Sequence, residues 1–273
     1  MALRQLSYLS VALNRTVPVT VILPADRVSF ETMTYEQLDH REPFKTLYLL
    51  HGMLGNHTDW VSGTRIQRWA EERCLAVVMP SGENAFYISG PGPWSDYGTF
   101  IGEELVQMTR RMFPLSSRRE DTFIAGLSMG GFGALRNGIR YSETFSHVAG
   151  FSSALHLFEQ APAEQQPGFP GQQTDFPSQQ PDFLSLYEAA AKSDRNPRVA
   201  WENLKREGRP MPRFYLSCGT EDDLLPYSRI YRDLLRNDGA DVTYEEKPGA
   251  AHEWDFWDEQ IRKTLDWLPL DRA

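Results

Sequence analysis

The chain has 273 residues, of which 41% are hydrophobic, 12% aromatic and 24% charged, a globular composition that buries a full core without disulfide or metal staples. Its 28 basic and 37 acidic residues leave a formal charge of −9, a field that repels phosphate backbones and sets nucleic acid aside as a partner. The length suits one large α/β domain, and no run of apolar residues is long enough to span a bilayer, so no membrane partner is expected.

The amino terminus, MALRQLSYLSVALNR, lacks the continuous apolar stretch and cleavage site of a signal peptide, and the expectation is a cytoplasmic protein. Residues 17–23 read as an extended, edge-type strand interrupted by Pro18. Residues 46–50 form the first of several short apolar runs typical of strands buried on both faces. The others are 75–79, 122–125, 148–151 and 213–217, while 242–246 alternates and reads as an edge. Helical stripes fall between them: Ile101, Leu105, Met108 and Met112, then Tyr227, Ile230, Tyr231, Leu234 and Leu235, then Trp254, Trp257, Ile261 and Leu265. The second stripe ends at Asn237, Asp238 and Gly239, a helix stop. Strand and helix signals in alternation predict a mostly parallel central sheet with helices on both faces.

Residues 160–181 break the alternation with a segment rich in Gln, Pro and Gly. Short helical stretches come next, at 182–192 and 198–206. The whole is read as a single domain over 1–273 with a small lid or cap insertion at about 155–210. Arg110 with Arg111, and Arg118 with Arg119, read as a solvated helix face and a loop. Cys74 and Cys218 sit in apolar runs and read as buried thiols, since no CxxC or Cys/His ligand spacing occurs.

The chemistry concentrates after the strand at 122–125. Gly126, Leu127, Ser128, Met129 and Gly130 make G-x-S-x-G between an apolar strand and a helix-like segment, the context a nucleophile turn requires. The serine there sits in a strained backbone, and the residues two before and two after must be small. A serine hydroxyl needs a base, and the base needs an orienting carboxylate. In this motif's setting the partners follow in the order serine, acid, histidine. Of His147, His156 and His252, the three histidines after Ser128, His252 lies on a small-residue loop after the last strand, where the base belongs. Glu221, Asp222 and Asp223 follow the strand at 213–217; Asp222 is taken as the acid, Asp223 is the runner-up, and the neighbours are expected to cap the next helix.

An oxyanion requires two backbone N–H donors. Met129 supplies one candidate, and the turn His51, Gly52, Met53, Leu54, Gly55 and Asn56 supplies the other, Met53 with Leu54 as alternative. His51 is expected to shape that turn through hydrogen bonds. Trp94, Tyr97, Phe158 and Phe169 fit either an aromatic pocket or ordinary packing, and packing is preferred. No HExxH or dinucleotide glycine pattern occurs, so no metal and no cofactor is expected.

Taken together, the turn at 51–56 with Trp60, the motif at 126–131, the segment 218–222 and the segment 249–254 resemble the esterase D family of α/β-hydrolases. The nearest branch in that resemblance is the bacterial tributyrin esterase-type short-chain carboxylesterases. It implies an α/β-hydrolase fold, with Ser128, Asp222 and His252 catalytic, Met53 and Met129 as oxyanion donors, and a small-molecule ester as substrate. The family also contains S-formylglutathione hydrolases, feruloyl and acetylxylan esterases and, further off, mycolyltransferases; homo-oligomerisation is left open. Two departures stand out: the Gln- and Pro-rich insertion, and Asp223 in place of an aromatic residue.

Overall fold

The computed structural model describes residues 2–25, 28–29, 34–35, 43–90, 92–159 and 183–270. Its strands are β1 (Ala2–Ser10), β2 (Arg15–Leu23), β3 (Val28–Ser29), β4 (Thr34–Tyr35), β5 (Thr46–Leu50), β6 (Ala76–Pro80), β7 (Thr122–Leu127), β8 (His147–Phe151), β9 (Arg213–Gly219) and β10 (Val242–Lys247). Eight of them form the main sheet in the order β1-β2-β6-β5-β7-β8-β9-β10, while β3 and β4 pair separately. β1 pairs antiparallel with β2, and β2 with β6; every neighbouring pair from β6 across to β10 is parallel.

The helices are α1 (Asp59–Gly63), α2 (Ile66–Glu72), α3 (Tyr97–Thr99), α4 (Leu105–Met112), α5 (Met129–Arg140), α6 (Phe183–Ala191), α7 (Pro197–Glu207), α8 (Leu225–Asn237) and α9 (Trp254–Trp267). Successive strand residues point to opposite faces, so each apolar run feeds two cores at once. Tyr48 and Leu50 join Ile124, Val148, Phe214 and Leu216 on the face covered by α4, α5, α7 and α8. Leu47 and Leu49 join Phe123, Ala125, Phe151 and Tyr215 on the face covered by α1, α2 and α9. A parallel strand buried on both sides has no polar alternation, which is why these short runs are legible as strands.

Residues 17–23 do not form an edge. The amino-terminal segment makes β1, which turns back through Val11 to Asn14 and covers β2 along its whole length. Asn14 takes φ +47° in that turn. Pro18 is tolerated because its backbone faces the end of β6: its carbonyl accepts from Ser81 N at 3.4 Å, just past the last paired residue, Pro80. β1 escapes detection because most of its side chains are solvated, leaving only Tyr8 and Ser10 buried.

The first helical stripe rotates relative to its expected phase. Between α3 and α4 the chain passes through a π-helical turn, Phe100–Glu104, which inserts extra rotation. Beyond it Leu105, Val106 and Thr109 are buried, Met108 is half-buried and Met112 is exposed. In α8 the expected stripe does pack on the core, Tyr231 and Leu235 buried with Tyr227 and Leu234 half-buried, and only Ile230 faces solvent. That helix does stop at Asn237, with Gly239 at φ +85° just beyond. The arginine pairs are less solvated than expected: Arg110 bonds Ser116 O and Thr122 Oγ1, and Arg119 bonds Ser142 O and Met211 O. Cys218 is buried but Cys74 only half so, and neither forms a disulfide. Residues 160–181, with Phe169, lie outside the described residues.

Candidate active site

Ser128 joins β7 to α5 with φ +52° and ψ −119°, a conformation that non-glycine residues avoid. Its backbone is fully committed: the N–H donates to Phe151 O at 2.9 Å, and the carbonyl accepts from Phe132 N and Ala154 N. The turn is closed tightly on itself. A Cβ on Gly126 would lie 2.3 Å from Gly130 O, and one on Gly130 would lie 2.4 Å from Leu50 O. The demand for small residues on either side of Ser128 is therefore a demand of backbone against backbone.

The last two strands bring the acid and the histidine to Ser128. β9 and β10 are parallel neighbours, with Glu246 beside Cys218 and Lys247 beside Gly219, so their carboxyl-end loops emerge together. Those loops are tied by Thr220 N to Lys247 O, Glu221 N to Ala250 O, and Gly249 N to Thr220 Oγ1. At the tip of the pair, His252 Nδ1 lies 2.9 Å from Asp222 Oδ2, and His252 Nε2 lies 3.0 Å from Ser128 Oγ. A carboxylate only accepts, so the ring proton belongs on Nδ1, leaving the Nε2 lone pair for the serine hydroxyl.

Asp222, not Asp223, faces the histidine: it is 5% exposed, whereas Asp223 points to solvent. Its second oxygen accepts from Leu224 N at 3.0 Å. Burial by itself pushes the Asp222 carboxyl up, but the hydrogen bond and charge of His252, with bonds from Ser152 and Leu224, outweigh it and hold the group below the usual carboxylate range. The flanking acids do not cap α8. Its N-cap is Leu224 with no side-chain cap, and the carboxylate that serves that end is Asp222 itself.

The turn after β5 lies against Ser128: a Cβ on Gly52 would come within 3.5 Å of Ser128 Cβ. Three side chains brace it. Trp60 Nε1 donates to Leu50 O and Tyr87 Oη to His51 O, while His51 donates from Nδ1 to Gly52 O and accepts at Nε2 from Gly82 N. Burial lowers the His51 pKa, keeping the ring neutral as this donor-and-acceptor role requires. Leu54 N already donates to Asn84 Oδ1 at 2.8 Å. Met129 opens α5, so its N–H has no acceptor within the helix and lies at the positive end of the helix dipole. The Met129 side chain is buried, and Met53 packs half-buried against the same core.

The other aromatic candidates separate. Tyr97 Oη is held between Arg15 and Glu83, Phe158 packs on Phe132 and Tyr187, and Trp94 is exposed. His147 and His156 are turned away from Ser128, the first into Ser146 and the second onto the ring of Tyr227. Two residues near the centre carry no sequence signal of their own. Ser152, at φ +45° just past β8, helps hold the Asp222 carboxyl low, and Trp257 of α9 stands edge-on to His252 with ring centroids 4.9 Å apart.

A mostly parallel sheet with helices on both faces and a serine on the turn after its central strand defines an α/β-hydrolase. The esterase family model, described as "Putative esterase", matches residues 10–268, and the chain belongs to that family, the esterase D group of carboxylic ester hydrolases. It is 35% identical over 271 residues to an acetyl esterase of Caldicellulosiruptor saccharolyticus, covering 98% of each chain. Among solved structures it is similar to an S-formylglutathione hydrolase from Staphylococcus aureus, with TM-score 0.77, 25% identity and 98% of each chain covered. It is also similar to the fluorophosphonate-binding serine hydrolase F of the same organism, with TM-score 0.78, 26% identity and the same coverage.

Proposed function

We propose that this esterase hydrolyses short-chain acyl esters, acetyl esters among them, in the manner of the tributyrin esterase-type branch. The observation that carries the reading is the unbroken chain Ser128 Oγ, His252, Asp222, with links of 3.0 and 2.9 Å. His252 takes the proton of Ser128 as its oxygen attacks the ester carbonyl. The amides of Met53 and Met129 hold the oxyanion, the alcohol departs with the proton from His252, and water attacks the acyl-enzyme by the reverse relay. Asp222 fixes the imidazole tautomer and balances its transient positive charge. Between Met53 and Leu54, the engagement of Leu54 N by Asn84 favours Met53 as second donor. The 35% identical acetyl esterase supports the short acyl chain.

Hydrolysis of p-nitrophenyl esters from acetyl to decanoyl, by the wild type and Ser128→Ala, tests this reading. Turnover concentrated on the short chains and abolished in the variant is the expected outcome; turnover that survives the substitution, or that grows with chain length, would reject it. A second reading, thioester hydrolysis, draws on the likeness to the S-formylglutathione hydrolase. Comparing turnover of S-formylglutathione and phenyl acetate separates the two.

A further inference from the structure

We infer that Ser152 is a positioning residue for the Asp222–His252 pair, held in that role by Trp257; the inference rests on the assignment of Ser128, His252 and Asp222 as the catalytic triad. Ser152 follows the last residue of β8, the strand beside β9, and its N–H donates to Ser217 O at 2.8 Å. That bond fixes it next to the strand whose loop carries Asp222. It is completely buried and takes φ +45°, a placement costly for any side chain and costlier for a polar one without partners.

The hydroxyl has partners on both sides. Trp257 Nε1 donates to Ser152 Oγ at 3.2 Å, occupying one lone pair. A serine hydroxyl has a single proton to give. The acceptors around it are the Asp222 carboxylate and the Cys218 sulfur, and the ionised carboxylate is the stronger. With the indole N–H on one lone pair, the serine proton is left for the carboxylate side. A proton offered there favours the charged form of Asp222 in a site where burial alone would favour the neutral one.

Trp257 also reaches the base. Its ring meets the His252 imidazole at 85°, centroids 4.9 Å apart, and is itself backed by Trp254 at 5.2 Å and 84°. One buried indole thus limits how far the imidazole tilts and, through Ser152, how the carboxylate that orients it is turned. Neither Ser152 nor Trp257 contacts the reacting atoms. Their effect falls on the rate of proton transfer and leaves the affinity for ester untouched.

The experiment measures kcat and KM on p-nitrophenyl acetate for Ser152→Ala, Ser152→Gly and Trp257→Phe, with Ser128→Ala alongside. Glycine adopts φ +45° without strain, so Ser152→Gly removes the hydroxyl while sparing the fold. The expected result is a fall in kcat of about tenfold in both Ser152 variants, with KM moving by less than about twofold. Trp257→Phe keeps a ring beside His252 while removing the N–H and part of the indole's bulk; its kcat is expected to fall by roughly threefold. The downfield proton resonance of His252 Nδ1–H should change position or broaden in Ser152→Gly. A kcat in Ser152→Gly within about twofold of wild type, or a loss confined to KM, overturns the inference and leaves the Ser128 assignment standing. Turnover retained by Ser128→Ala overturns that assignment instead, and this inference with it.

Discussion

Gly126 and Gly130 face each other across the Ser128 turn so closely that a Cβ on the first would sit 2.3 Å from the carbonyl oxygen of the second. Gly130 is in turn pressed against the end of β5, with a Cβ there 2.4 Å from Leu50 O and 2.6 Å from His51 O. These neighbours are backbone atoms, so no flexible side chain can give way. Gly130→Ala must move either the nucleophile turn or the turn that carries Gly52 and Met53. It is expected to cost about 1–3 kcal/mol in urea unfolding and to remove most ester turnover, since both turns border the reacting group.

The choice among the three adjacent acids has a direct kinetic consequence. Asp222→Asn keeps the shape of the contact with His252 but loses the charge and leaves the ring free to adopt the other tautomer. Its kcat is expected to fall by about 10² to 10⁴. Asp223→Asn, on an exposed side chain, should stay within about twofold of wild type. Parallel measurement of both variants on one short-chain ester checks the pair.

His51 bridges two backbone groups from inside the core. Replacing it with Phe keeps a ring but removes the acceptor for Gly82 N and the donor to Gly52 O. A buried N–H left without a partner costs about 1–3 kcal/mol. The expected outcome for His51→Phe is a lowered urea midpoint together with reduced kcat, because the freed Gly52 carbonyl loosens the turn beside Ser128.

His147 makes the fold sensitive to mild acid. Burial first, then the positive charges of Arg213 and Arg119, lower its pKa to about 4 from an ordinary 6.5. The unfolded chain takes up this proton at about 6.5 and the folded chain only at about 4. The stability held in the neutral ring is therefore fully present above pH 6.5 and is lost as pH falls toward 4. Between pH 7 and pH 5 the loss is about 2 kcal/mol from this group. His51, His57 and His156, also lowered by burial, add to the same slope. Urea unfolding at the two pH values should show His147→Asn losing about 2 kcal/mol less than wild type.

Much of this architecture is written locally. A strand buried on both faces must be apolar at consecutive positions, so residues 46–50 and 148–151 announce themselves without reference to anything distant. The same holds for the nucleophile turn: its backbone needs glycine at 126 and 130 whatever surrounds it, and the chain order of serine, acid and histidine narrows the partners to a few residues. Local reading fails where local signals are diluted. β1 exposes most of its side chains, and the π-helical turn at Phe100–Glu104 shifts the phase of the buried stripe along α4.

Only the tertiary structure chose among Glu221, Asp222 and Asp223, because three adjacent carboxylates differ in which one the paired loops after β9 and β10 turn inward. It alone revealed Ser152 and Trp257 as neighbours of the centre, residues 105 positions apart whose contact depends on β8 lying beside β9 and α9 returning across the sheet face. Residue type and spacing determine which chemistry a chain can offer, since steric and propensity effects act over a few residues. Which atoms finally meet is decided by the order of the strands, which brings together groups that no local periodicity connects.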